Sequence, residues 1–136
     1  MFWLSHHRAE ELDRCYRLGS LHVCARCLGT YPVLFAALGW QFAVKAALTS
    51  PLDVPAGVVL VVPATLDWAW GRLRNPHAGS NVWRSLTGVL LGLGLGRSLF
   101  IHLQHPFPAV LLAQGALVTL VGLPVILTAY LRQRRR

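Results

Sequence analysis

Residues 81–103, NVWRSLTGVLLGLGLGRSLFIHL, read at once as a membrane span and as a packing face. The run is longer than the roughly 20 apolar residues a helix needs to cross a bilayer. Gly88, Gly92 and Gly96 recur at four-residue spacing, with Gly94 beside them. Small residues in that register let helix backbones approach closely, which predicts that this helix packs inside the unit. Its start, Ser80-Asn81, has N-cap chemistry, and Arg84 lies about one turn in.

Working outward, three more apolar runs appear at residues 28–49, 54–71 and 107–131. The composition agrees: of 136 residues, 54% are hydrophobic and 13% charged, about half the charged content of soluble domains. The links TSPLD and QHP are tight and carry Pro51 and Pro106, which suits helical hairpins. The expected fold is therefore an all-α membrane protein. Four transmembrane helices form two hairpins in a domain over residues 28–131, preceded by a cytosolic or interfacial Cys/His segment, residues 1–27, and followed by a basic tail, residues 132–136. Ser5 is a cap for a short helix over residues 5–17.

Thirteen basic residues against five acidic ones would ordinarily suggest nucleic acid. Here eleven of the thirteen flank the runs on one side, and the two short links on the other side carry none. That asymmetry is a topological signal, so no nucleic-acid partner is expected; both termini face the cytoplasm in a multi-pass protein of the plasma (inner) membrane. Lys45 and Arg97 are the exceptions, placed within the first and third runs, with Asp53 as the nearby carboxylate. Gln41 and Gln114 are lone polar groups suited to inter-helix hydrogen bonds.

The segment at residues 15–27, CYRLGSLHVCARC, holds all three cysteines. Facing a reducing cytosol, an odd number of thiols with one Cys-x-x-Cys pair points to metal binding before disulfides. Cys15, Cys24 and Cys27 with His22 make a Cys₃His set that suits Zn²⁺; His6, His7 and His77 are alternative fourth ligands. Iron is less favoured because a fourth thiolate is missing. Arg26, inside the motif, is expected to lower the thiol pKa values.

A second polar cluster joins the second and third runs. Asp67 and Arg84, at similar depth, are expected to face inward together, and Arg72, Ser80, Asn81 and Arg84 form a candidate anion site for a lipid phosphate. Three functions fit these residues. The first is a structural or interaction subunit with a zinc-bearing cytosolic face, in contact with the lipid bilayer and with a membrane-protein partner or a second copy. The second is an enzyme acting on a lipid or polyprenyl phosphate, with Asp67 and Arg84 as catalytic candidates. The third is a thiol-redox or quinone-linked protein using Cys24 and Cys27.

The string Cys15, then Val23-Cys24-Ala25-Arg26-Cys27-Leu28-Gly29-Thr30-Tyr31, then Leu66-Asp67-Trp68 and Gly79-Ser80-Asn81-x-x-Arg84-x-x-Thr87-Gly88 resembles the small prokaryotic membrane proteins grouped as domain of unknown function 2085. The resemblance implies a small polytopic membrane protein with a cysteine motif ahead of its first span, and no activity. Tyr16 stands where many members place a histidine, which turns the choice of fourth ligand to His22, His6 or His7.

Overall fold

The computed structural model of the protein describes residues 9–74 and 79–134. A 3₁₀ turn at Ala9–Arg14 leads into two strands, β1 (Cys15–Leu18) and β2 (Leu21–Cys24). Four helices follow: α1 (Ala25–Ala43), α2 (Asp53–Leu73), α3 (Asn81–Gln104) and α4 (Ala109–Arg134).

The four helices agree with the all-α expectation, to which the structure adds a short hairpin; its first strand ends the helix read over residues 5–17 at Arg14, and the part of that helix before residue 9 lies outside the described residues. β1 and β2 pair antiparallel, Cys15 with Cys24 and Leu18 with Leu21, across the two-residue loop Gly19-Ser20. Gly19 has φ +62, a conformation open to glycine and required at the first position of a type II′ hairpin turn. A turn of that type holds the strands in the right-handed twist they prefer, so the tight hairpin displaces a helix that the preceding residues would otherwise extend.

α1 follows β2 directly and ends at Ala43, not near residue 49 as the apolar run suggested. Its last carbonyls are taken by a Schellman closure. The Ala46 amide donates to Gln41 O at 3.0 Å and the Lys45 amide to Phe42 O at 3.3 Å, with Lys45 at φ +49. Lys45 therefore lies past the helix end and is exposed, rather than within the helix. Among the described residues three helices are long and apolar enough to cross a membrane: α2, α3 and Ala109–Arg132 of α4. α1, with Arg26 in its first turn and Gln41 in its last, is not one of them.

The packing order differs from two sequential hairpins. α1 packs on α3, and α2 packs on α3 and α4, while α1 and α2 hardly touch. Contacts along the helices fix their senses. Gly88 of α3 lies against Arg26 of α1, Gly92 against Thr30 and Leu34, and Gly96 against Leu34 and Ala37, so α1 and α3 run parallel. Asp53 meets Arg97 and Leu60 meets Gly94, so α2 runs antiparallel to α3. The chain thus crosses back and forth, and its longest interface joins helices one and three. The glycine register explains this choice, because a Cβ at Gly29, Gly88 or Gly92 would collide with backbone of the facing helix. The stripe is an internal packing face, as expected.

The lone glutamines also act within the bundle. Gln114, buried in α4, donates to Gly57 O of α2 at 3.0 Å and accepts from Ser98 Oγ of α3 at 2.8 Å. Gln41 donates to Ala37 O at 2.9 Å and accepts from Arg97 Nη1 at 3.2 Å. Arg97 completes a forked pair with Asp53, Nε to Oδ1 at 2.8 Å and Nη2 to Oδ2 at 3.0 Å. At this end a compact apolar core of Phe100, Ile101 and Val110 is packed by Leu38, Ala46 and Leu48. Large side chains of the three candidate spans, such as Leu66, Leu93, Leu120 and Leu123, point outward, as contact with lipid requires.

Candidate functional site

The hairpin, the start of α1, the end of α2 and the start of α3 meet at the opposite end. Arg132, near the end of α4, joins them by donating to Leu73 O at 2.8 Å. The strand register is what gathers the cysteines. Cys15 and Cys24 are cross-strand partners, and both are buried. Cys27, half-buried in the first turn of α1 and ahead of the apolar run, shares a hydrogen bond with Cys24. His22 precedes Cys24 by two residues in β2 and so belongs to the same face of the hairpin. No disulfide links the three thiols. Among the described residues no three His, Cys, Asp or Glu side chains converge as a ready-made metal-binding group. His6, His7 and His77 lie outside the described residues.

The Cys27 thiol is pushed up to about 11, first by burial and then by the charge of Cys24 and the hydrogen bond with it. Arg26 pulls in the other direction but does not win. Arg26 thus lowers the thiol pKa as expected, but burial and Cys24 outweigh it and the net shift is upward. The guanidinium is committed elsewhere, because Arg26 Nη2 donates to Asp67 Oδ2.

That ion pair, between α1 and α2, was not anticipated. Arg84 of α3 reaches the same place: it is 7% exposed, and its Nη1 donates to Asn81 Oδ1 at 3.2 Å. Between them lies Gly79, at φ +99, where a Cβ would sit 3.8 Å from Arg84 Nη2 and 4.0 Å from Asp67 Oδ1. Asp67 and Arg84 therefore do face inward together, with Arg26 as a third member drawn from the Cys-x-x-Cys motif. Arg26 Nε is buried and has no hydrogen-bond partner among the described residues.

The other predicted anion-site residues have different employment. Ser80 caps α3, its Oγ accepting from the Trp83 amide at 3.1 Å. Asn81 Nδ2 donates to Asp13 O at 2.9 Å and Cys15 O at 3.3 Å, fastening the hairpin to α3. Arg72 is exposed in the last turn of α2. Ser85 adds a second fastening, donating to Ala25 O at 2.9 Å and lying 3.3 Å from the Tyr16 hydroxyl. Asn81→Ala removes two side-chain bonds to the hairpin at a cost of about 1–2 kcal/mol. Trypsin is then expected to cut after the exposed Arg17 several-fold faster than in the wild type, with cleavage after Arg74 unchanged.

Comparison with known families gives one finding. A family model described as "Predicted membrane protein (DUF2085)" matches residues 7–98, which span the hairpin, α1, α2 and most of α3. No curated protein and no solved structure matches the chain.

Proposed function

This chain belongs to the DUF2085 family of predicted membrane proteins, and from that premise we propose that it is a structural or interaction subunit of the inner membrane whose working end is the cysteine hairpin. The observation that carries this reading is the register pairing Cys15 with Cys24, with Cys27 bonded to Cys24. Three thiols separated along the chain are brought to one place by a hairpin that has no other evident reason to hold them.

Zinc is the metal we propose, with Cys15, Cys24 and Cys27 as ligands and His22 as the fourth. The donor set fits by chemistry, since thiolate and imidazole are the ligands of structural zinc. Bound metal would stabilise the folded hairpin and displace the thiol protons, Cys27's among them. With no ready-made shell among the described residues, the side chains must turn on binding. Iron remains the less favoured metal. α1 is proposed as a fourth span because it runs alongside α3, with both termini at the cytoplasmic side, where the arginines gather.

Two observations weigh against the alternatives. A thiol held protonated at neutral pH is a slow nucleophile, which disfavours thiol exchange through Cys27. Asp67, the base that the lipid-phosphate enzyme would use, is engaged by the Arg26 guanidinium, which weighs against that role.

Plasma mass spectrometry of detergent-purified protein tests the proposal. About one zinc per chain is expected in the wild type and none in Cys24→Ser/Cys27→Ser. A metal-free wild type with readily titrated thiols overturns it.

A further inference from the structure

We propose that Cys15 and Cys24 are a peroxide-sensitive pair that closes into a cross-strand disulfide and so takes two ligands away from the metal site. The loss of metal rests on the zinc reading; the pairing of the sulfurs does not.

Which two of the three thiols join follows from the register. Leu18 and Leu21 flank the two-residue loop and are joined by its turn, so they form a hydrogen-bonded pair. Bonded and non-bonded pairs alternate along an antiparallel ladder. Counting outward, Arg17 and His22 are a non-bonded pair, Tyr16 and Val23 a bonded one, and Cys15 and Cys24 again a non-bonded one. Non-bonded partners bring their Cα atoms to about 4.5 Å with the side chains close together, within the roughly 4.4–6.8 Å that a disulfide spans. Cys27 is the competitor, since it shares a hydrogen bond with Cys24.

α3 holds the cross-strand pair from both sides. Asn81 Nδ2 donates to the Cys15 carbonyl at 3.3 Å, and Ser85 Oγ donates to the carbonyl of Ala25, the residue after Cys24, at 2.9 Å. Asn81 and Ser85 lie one turn apart on one face of α3, so a single helix fixes the backbone at both cysteines.

Burial selects the oxidant. Cys15 and Cys24 are 7% and 4% exposed, which keeps a bulky disulfide such as oxidised glutathione from reaching either sulfur and leaves hydrogen peroxide as the small oxidant that can. Peroxide takes one thiol to a sulfenic acid, its O–O bond breaking and one water leaving. The second thiol attacks that sulfur, the S–S bond forms, and the sulfenic hydroxyl leaves with the thiol proton as a second water. Each sulfur gives up one electron, and both electrons go to the peroxide. With Cys15 and Cys24 joined, Cys27 and His22 remain, short of the four ligands a structural zinc needs.

Trypsin places each cysteine on its own peptide, residues 15–17, 18–26 and 27–45, so mass spectrometry without reduction identifies the pair. Full-length protein in detergent is treated with hydrogen peroxide, its remaining thiols are blocked, and zinc release is followed with a chromogenic chelator. The expected result is a main cross-link between peptides 15–17 and 18–26, cleaved by dithiothreitol after digestion, with about one zinc released per link formed. Treatment in urea and dodecyl sulfate is the control, in which the register is gone and this link is expected to lose its lead over Cys24–Cys27. A main link to peptide 27–45 in the folded protein, the same distribution folded and denatured, or a zinc-bound protein that keeps its metal once cross-linked overturns the proposal. Protein that carries no zinc before peroxide overturns the metal reading alone, and the peptide map still decides the pair.

Discussion

Gly88→Ala is expected to cost more than about 3 kcal/mol and to remove most of the folded protein, because the new Cβ meets the Arg26 carbonyl oxygen of α1. Backbone cannot swing aside as a long side chain can, so relief requires α1 and α3 to separate. They carry the hairpin, Ser85 and the Arg26–Asp67 pair with them, and the loss spreads across the whole end of the bundle. Gly39→Ala and Gly115→Ala are the controls. Nothing lies within 4 Å of a Cβ at either position, and both substitutions should be neutral or stabilise by up to about 1 kcal/mol through helix propensity. Thermal unfolding in detergent checks all three. Had the glycine stripe served a second copy of the chain, Gly88→Ala would dissociate oligomers and leave the monomer's melting unchanged.

Removing Arg97 has an expected effect of similar size. Its guanidinium ties α3 to Asp53 at the start of α2 and to Gln41 in the last turn of α1. Arg97→Met leaves the Asp53 carboxylate in a half-buried, apolar setting with only the Ser50 amide, 2.7 Å away, to satisfy it. Breaking a fully buried pair costs about 3–5 kcal/mol, and for this half-buried one about 2–3 kcal/mol is expected. Arg97→Met/Asp53→Asn leaves no uncompensated charge and should recover more than half of the loss. A double-mutant cycle on urea or thermal unfolding measures the coupling. Additive single effects would show that the two groups do not depend on each other.

Much of the architecture was legible in the sequence, and the misses share a cause. Residues 81–103 gave their span, their cap and their glycine stripe because each signal is local to one helix. The lone Gln114 pointed to an inter-helix bond for the same reason. What escaped were choices among competitors that only the fold decides. Asp67 had several arginines at similar depth, and Arg26 won because parallel packing sets α1 beside α3, across from the end of α2. Lys45 sat in an apolar run that continued to residue 49, yet the chain turned at Lys45 itself. Nothing in a hydropathy pattern marks a Schellman closure that places lysine rather than glycine in the left-handed conformation.

In the candidate site the cysteines were visible and their geometry was not. The Cys-x-x-Cys spacing drew attention to a ligand knuckle, whereas Leu18-Gly19-Ser20-Leu21 held the better clue, a two-residue hairpin turn. With that turn recognised, the pairing of Cys15 with Cys24 follows by counting outward. The role of Asn81 could not be counted in this way, because its partners are backbone carbonyls far away in sequence.

The parallel contact between α1 and α3 also bears on how the protein is made. Ser85 finds its acceptor in Ala25, 60 residues earlier in the chain. The helix least suited to lipid is therefore synthesised first, and its glycine-lined berth is synthesised third. Between those moments α1 lacks the neighbour that covers its polar first turn. Insertion of this protein is expected to be completed backwards, with the arrival of α3 securing the helix that came out of the ribosome before it.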